Sequence, residues 1–264
     1  IIKITETEVK RSPRPPFITS TLQQTASSRL GYSPSRTMHI AQKLYEEGHI
    51  TYMRTDSPTI SKEVLPSMYQ EIEKTFGKEY VLPRIYTSKS KSAQEAHEAI
   101  RPSKIAQKSG GTTEDQKKLY TLIRERILAS QMTDAKMLRT KISANIGGNE
   151  QIPNFSVSGS VILFPGWLAA DTRASGEETE LPKLKDGEPL TLKTIEHEEK
   201  QTEPPARYTE AGLIKELEKR EIGRPSTYAT IISTLLARGY AEKEGRALKP
   251  TDSGDVVSSF LEKN

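Results

Sequence analysis

Displaced by 191 residues, the chain meets its own pattern: Leu22 falls on Leu213, Pro34 on Pro225, Ser35 on Ser226, Leu44 on Leu235 and Gly48 on Gly239. Identity elsewhere between the copies is slight, so what repeats is a shape. In the first copy a helix runs from a cap at Thr19 or Ser20 to about Leu30, with Leu22, Ala26 and Leu30 on one stripe, and Gly31 closes it. Ser33-Pro34, a cap followed by proline at the first helical position, opens a second helix whose inner face is Met38, Ala41 and Leu44-Tyr45 and whose stop is Gly48. In the later copy Thr209 caps a helix to about Arg220, Ile222-Gly223 turns, and Tyr228, Ile231, Ile232, Leu235 and Leu236 mark a second buried stripe. Such a chain builds two helix-turn-helix units. After the second, Tyr240 to Lys243 and Arg246 to Lys249 flank Glu244-Gly245, which reads as a two-residue hairpin. Two helices and a β wing describe a winged helix-turn-helix, a module that presents a helix end to nucleic acid or to protein.

Between the copies the period changes. Ser61 is a candidate cap for a helix reaching Phe76 with Gly77 as its stop, and Pro66 defers the regular part of that helix. A basic, serine-rich loop, Ser88 to Lys91, precedes Ser92-x-x-Glu95, a capping box that predicts a short helix from Ala93 to Ile100, ended by Pro102. Thr113-x-x-Gln116 repeats the signature before a helix with Leu119, Leu122, Ile123 and Ile127 on one side. From Leu138 the apolar residues alternate: Leu138, Thr140, Ile142, Ala144 and Ile146, then Phe155, Val157, Gly159, Val161 and Leu163, with a third run over Leu190 to Ile195. Residues 1 to 10, alternating around Ile2 and Ile4 and ended by Pro13 to Pro16, read as a strand that returns to this sheet. Trp167, the only tryptophan, reads as a packing anchor. The expected class is therefore α+β and multi-domain: a helical domain over 12–137, a β-rich domain from 1–11 and 138–200, and a winged-helix-like part over 201–264.

Composition narrows the chemistry. With no cysteine there is neither a disulfide frame nor a thiolate zinc site, and with no apolar run of about 18 residues there is no membrane-spanning segment to propose. A net charge of +4 permits a polyanionic partner without requiring one. The chemically richest stretch is Ile50-Thr-Tyr-Met-Arg-Thr-Asp-Ser57, a β-branched and aromatic run that predicts a strand with Tyr52, Arg54 and Asp56 on one face. A phenol is a weak nucleophile near neutrality, but a guanidinium beside it favours the phenolate and grips a phosphate, and Asp56 is placed to orient the arginine. The plain alternative is a strand tyrosine beside a surface arginine. His97, in Ala96-His-Glu-Ala-Ile-Arg-Pro102, lacks a second histidine or cysteine at ligand spacing, so it reads as a structural histidine or a site residue and not as a metal ligand. Arg224, Ser226 and Thr227 crowd a helix N-terminus, an arrangement that suits an anion or simple helix capping.

Three of these segments, Ile50 to Ser57, Ala96 to Pro102 and Ile222-Gly-Arg-Pro-Ser-Thr-Tyr-Ala229, together with Pro16-Phe-Ile-Thr-Ser-Thr-Leu-Gln-Gln24, resemble in order the signature segments of bacterial type IA DNA topoisomerases, over nearly the whole chain. The resemblance implies that Tyr52 is the nucleophile that becomes linked to the 5′ phosphate of a cut strand, that Arg54 stabilises the phosphate, and that His97 assists at the DNA ends. It implies phosphate or DNA contacts at Arg224, Thr227 and Arg238. It also implies a helical domain with a CAP-like helix-turn-helix, a β arch that forms a gate, and a winged-helix part of a base domain. The reaction implied is relaxation of negative supercoils without ATP. Its implied partners are single-stranded or underwound DNA and the remainder of a parent chain, acting as a cytoplasmic, nucleoid-associated monomer. The family's magnesium ligands, general acid and phosphate-binding lysine belong to a Toprim domain whose Asp-x-Asp-x-Glu signature is absent from these residues, so the chain alone is expected to be inactive. One departure is Glu221, where the family usually has glycine. A non-catalytic single-strand-binding or scaffold fragment, and a topoisomerase III or reverse gyrase relative, are the competing readings.

Overall fold

The computed structural model describes residues 1, 3–87, 97–147 and 151–263. The first repeat forms α1 (Thr19–Leu30) and α2 (Pro34–Glu46), and the second forms α5 (Glu210–Lys219) and α6 (Tyr228–Ala237). The local signals explain why. Ser33 accepts from the Arg36 amide at 3.2 Å with Pro34 in the first turn of α2, and Gly31 ends α1 at φ 70°, where a side chain would be strained. The cap of α1 is Ile18, not Thr19 or Ser20: the Thr21 hydroxyl accepts from the Ile18 amide, and Thr19 is used elsewhere. α3 (Leu65–Phe76) starts late, with Pro66 in its first turn, and α4 (Glu114–Ser130) opens on the capping box of Thr113 and Gln116.

The helices α1, α2 and α4 enclose one core around Phe17, Leu22, Leu44, Ile100 and Leu119. A second core joins α3 and the end of α4 to Trp167, which is 3% exposed and donates from Nε1 to the Arg11 carbonyl at 2.7 Å. That bond fastens the root of the sheet to the helices. The sheet is antiparallel in the order β1 (Lys3–Arg11), β2 (Ala135–Ala144), β3 (Phe155–Phe164), so the N-terminal strand does return to it. Residues 190–195 form no strand, and Leu190, Leu192 and Ile195 are exposed; Thr179 instead bridges Ser160 on β3. Alternation alone did not supply that run with a neighbour to pair with.

The later repeat carries a small core of Ile214, Tyr228 and Ile232. It packs back on the earlier one, α5 against α1 and α6 against α2, and the Ser20 hydroxyl donates to Glu218 across the seam at 2.6 Å. The wing is β4 (Ala241–Glu244) with β5 (Ala247–Pro250), turning at Gly245-Arg246 instead of Glu244-Gly245. Gly245 has φ 60°, so the position that needs a left-handed backbone is the first of the turn, where glycine suits it. A further helix, α7 (Asp252–Lys263), follows the wing and had no counterpart in the sequence reading.

Candidate functional site

Residues 51–57 belong to no ladder and bend at Thr51 and Met53; beside them Ile50 forms a β-bridge to Pro102. The expected strand is absent because side-chain hydroxyls take the place of a neighbouring strand. Thr19, fully buried at the start of α1, donates from Oγ1 to the carbonyls of Met53 (2.8 Å) and Thr55 (3.1 Å) and accepts from the Thr55 amide at 2.9 Å, while its own amide donates to Thr55 O. On the other side, Thr51 donates from Oγ1 to Ala99 O at 2.8 Å and accepts from the Arg101 amide at 3.0 Å. Two threonines thus pin the backbone on both sides of Tyr52 and Arg54. The period of two survives: Met53, Thr55 and Ser57 are buried, Tyr52 and Arg54 are exposed, and Asp56 is half-buried.

Tyr52 is 37% exposed and stands between two rings. Tyr45, from the last turn of α2, meets it edge-on with centroids 5.2 Å apart, and His97 meets it edge-on at 5.7 Å. The interplanar angles of 65° and 64° are the favourable edge-to-face geometry, which fixes the ring without sealing the hydroxyl. Tyr45 was expected on the inner face of α2, yet it is 41% exposed and turned to the site; nothing in its spacing signalled this. The predicted helix from Ala93 falls partly outside the described residues, as do Ser88 to Lys91 and the capping box. Its later part, His97 to Ala99, is not helical, and Ile100 bridges Phe17. Ala99 and Ile100 instead spend their amides on Thr59 O and Phe17 O, so His97 rides on a segment stitched across the core. Arg101 is held bidentately by Glu98, at 2.8 and 2.9 Å.

Among the described residues the Arg54 side chain makes no hydrogen bond or ion pair, so Asp56 does not orient it as expected. Asp56 lies instead near Tyr228, whose hydroxyl is pushed above its ordinary pKa by burial, then by Glu218 and Asp56. At the start of α6 the Thr227 hydroxyl accepts from the Arg224 amide at 2.8 Å and donates to Arg224 O at 3.2 Å, while Arg224 Nη1 donates to Gly223 O at 2.8 Å. Those bonds close the turn that precedes α6; Thr227 is its N-cap residue but its side chain makes no capping bond to the helix, and both side chains are exposed. Arg238 caps the other end of α6, exposed. Glu221, the family departure, has φ 59°, and among the described residues it is the one non-glycine in the left-handed region. The backbone there favours glycine.

No group of three or more acidic or histidine side chains among the described residues is placed to hold a metal ion. The magnesium implied by the resemblance thus finds no ligand set here, and no step below passes through it. Nor is any described helix long and apolar enough to cross a membrane.

The paired helix-turn-helix units, the wing and a clamped, exposed tyrosine with Arg54 on its side place the chain in a winged helix-turn-helix class of fold, and comparison with known proteins gives its family. The family model described as DNA topoisomerase matches residues 1–264, and the chain belongs to that family. It is 46% identical to DNA topoisomerase 1 of Streptomyces coelicolor over 97% of this chain and 28% of that protein, and 46% identical to DNA topoisomerase 1 of Mycolicibacterium smegmatis over 100% and 30%. The full-length topoisomerase I structure from Thermotoga maritima superposes with a TM-score of 0.86 at 38% identity, covering 99% of this chain and 44% of that one. The chain thus spans about a third of the length of these sequence relatives.

Proposed function

We propose that this chain is the strand-cleaving and gate-forming central part of a type IA DNA topoisomerase, with Tyr52 as nucleophile. The observation that supports this most is the phenol itself: exposed, bracketed by the rings of Tyr45 and His97, and carried with Arg54 on one side of a backbone pinned by Thr19 and Thr51. In the proposed step, Tyr52 Oη attacks a phosphodiester of one strand as the phenolic proton is released. The Oη–P bond forms, the bond from phosphorus to the 3′ oxygen breaks, and that oxygen takes up a proton to become a free hydroxyl. The guanidinium of Arg54 lies ready to stabilise the charge that accumulates on the equatorial oxygens. His97, beside the attacking ring, is available to hold the phosphate or the released end. Religation is the reverse attack by the 3′ hydroxyl. No ATP is consumed, because the phosphotyrosine ester keeps the energy of the bond it replaced.

On this reading the DNA partner is a single strand in an underwound duplex, the outcome is loss of negative supercoils, and Arg224, Thr227 and Arg238 contact the strand. The magnesium and general acid come from residues outside these 264, and the enzyme works as a monomer at the nucleoid. The complete polypeptide, incubated with an end-labelled single-stranded oligonucleotide and quenched with denaturant, should yield a covalent protein–DNA adduct. Tyr52→Phe should abolish the adduct, and Arg54→Ala should slow its formation by about 10²–10³-fold. An adduct that persists in Tyr52→Phe overturns the assignment.

A further inference from the structure

Two arginines lie on the segments that meet at Tyr52, and the fold uses them in opposite ways. Arg54 leaves its side chain without a hydrogen bond or ion pair among the described residues. Arg101, whose side chain is 12% exposed, commits its donors within its own segment: Nε and Nη2 hold the two oxygens of Glu98 at 2.9 and 2.8 Å, and Nη1 donates to the Pro102 carbonyl at 3.0 Å. A guanidinium carries a single charge and a fixed fork of donors, and here a carboxylate already meets both. A phosphate arriving at Arg101 would have to displace Glu98.

The fork sits where little else holds the chain. No backbone group of His97 or Glu98 is hydrogen-bonded to another described residue; the first backbone tie after them is the Ala99 amide, which donates to Thr59 O at 2.8 Å. A bidentate pair fixes both a distance and a plane, so it anchors Glu98 and, with it, the backbone that carries the neighbouring His97. The main chain of Arg101 reaches the other ring. Its carbonyl accepts from the Thr51 amide at 2.8 Å and its amide donates to Thr51 Oγ1 at 3.0 Å, and Thr51 immediately precedes Tyr52. Flanking that exchange, Ile50 bridges Pro102 and the Ser103 amide donates to His49 O at 2.9 Å. One residue therefore holds both partners of the ring contact, Tyr52 through its backbone and His97 through its side chain.

We propose that Arg101 is a positioning residue of the site, its ion pair with Glu98 setting the 5.7 Å and 64° at which the His97 ring stands against Tyr52. The part this gives Arg101 in strand cleavage rests on the functional reading above, whereas the clip itself does not. Without the fork, the segment keeps its tie at Ala99 but loses the one that holds Glu98, so the His97 end swings. Tyr52 stays, because Thr19 and Thr51 pin its backbone independently of the Arg101 side chain. What is lost is the placement of the imidazole and not that of the nucleophile.

The test compares the complete polypeptide with its Arg101→Met variant. Diethyl pyrocarbonate labels histidine, and mass spectrometry of the peptides should show His97 labelled severalfold faster in the variant, with the exposed His39 of α2 unchanged as the internal reference. In single-turnover reactions with an end-labelled single-stranded oligonucleotide, adduct formation should slow by about tenfold, the scale of a displacement of under 1 Å. Oligonucleotide affinity and its salt dependence should not change. On a His97→Ala background Arg101→Met should cost nothing further, because groups that act as a unit are not additive. Arg101→Lys, which keeps the charge and loses the fork, should recover part of the rate. Glu98→Gln should reproduce both effects at smaller size, and it carries the test if Arg101→Met fails to fold. Unchanged labelling of His97 in both variants overturns the clip. A full further loss on the His97→Ala background, or a slope of log K against log salt flattened by about 0.7, shows that Arg101 acts on a DNA phosphate and also overturns the proposal. Faster labelling with unchanged cleavage upholds the clip and counts instead against the functional reading, in which His97 assists Tyr52.

Discussion

Replacing Thr19 with valine isolates the clamp, since the two side chains share a shape and differ by one hydroxyl. Thr19 is fully buried, and its hydroxyl serves three backbone groups on a segment where Met53 and Thr55 are each 1% exposed. Thr55 O keeps a second donor in the Thr19 amide, at 2.9 Å. Thr19→Val therefore strands two buried groups, the Met53 carbonyl and the Thr55 amide. Each costs about 1–3 kcal/mol, so the variant should lose about 2–6 kcal/mol and melt roughly 5–20 °C lower. Circular dichroism gives the melt, and hydrogen exchange at the Thr55 amide gives the local answer: protected in the parent chain, fast in the variant. In the oligonucleotide adduct assay, cleavage should fall at least tenfold with little change in binding, because a misplaced nucleophile loses rate before affinity. Thr19→Ser, which keeps the hydroxyl, should restore protection and cleavage. A Thr19→Val variant that melts within a degree of the parent, with Thr55 still protected, would refute the claim that this hydroxyl stands in for a strand.

Tyr32 should make the fold alkali-sensitive. Burial, then its 2.8 Å bond to Asp115, pushes its pKa to about 12, so the stability this phenol contributes is intact below about pH 10 and lost between 10 and 12. Absorbance at 295 nm should show a late tyrosinate step coincident with unfolding, and Tyr32→Phe should shrink it by one phenol's share, with the other phenols that burial raises, Tyr69, Tyr86, Tyr120 and Tyr228, supplying the rest. Trp167→Phe gives up the 2.7 Å bond to Arg11 O and part of the second core, so chemical denaturation should report a loss of about 2–3 kcal/mol. Glu221→Gly relieves a left-handed glutamate and should raise stability by up to about 1 kcal/mol in the same assay; a loss would show that the turn is not strained. Ser20→Ala removes the only side-chain hydrogen bond described between α1 and α5, and should speed hydrogen exchange along α5 while leaving α4 unchanged.

What was legible in the sequence was mostly what is local. Ser33-Pro34 and Thr113 with Gln116 act on amides three residues away, so the starts of α2 and α4 could be read directly. The return of residues 3–11 to the sheet followed from one shared period and was also found. The site segment misled because its partners are distant: Thr19 lies 36 residues before Thr55, and Ala99 lies 48 after Thr51. β-Branched residues there look like a strand, yet their hydroxyls replace the ladder a strand would use. Burial still alternates, so Tyr52 and Arg54 could be placed together without the right secondary structure. The parts played by Tyr45 and Arg101 were invisible for a related reason, since a ring at a helix end and a cation before a proline take their meaning from what crosses them. The hairpin slipped by one residue because glycine at either central position of a tight turn looks the same in a string of letters.

The absence of a ladder around Tyr52 also decides where a mechanical load would go. A pull on the phenolic oxygen cannot peel one strand from another, bond by bond, because no row of bonds is there to unzip. It passes instead through the two threonine hydroxyls into the first turn of α1 and the stitched segment after His97, and from there into the packed interior around Leu22 and Ile100. The segment behaves as a pin set at both ends.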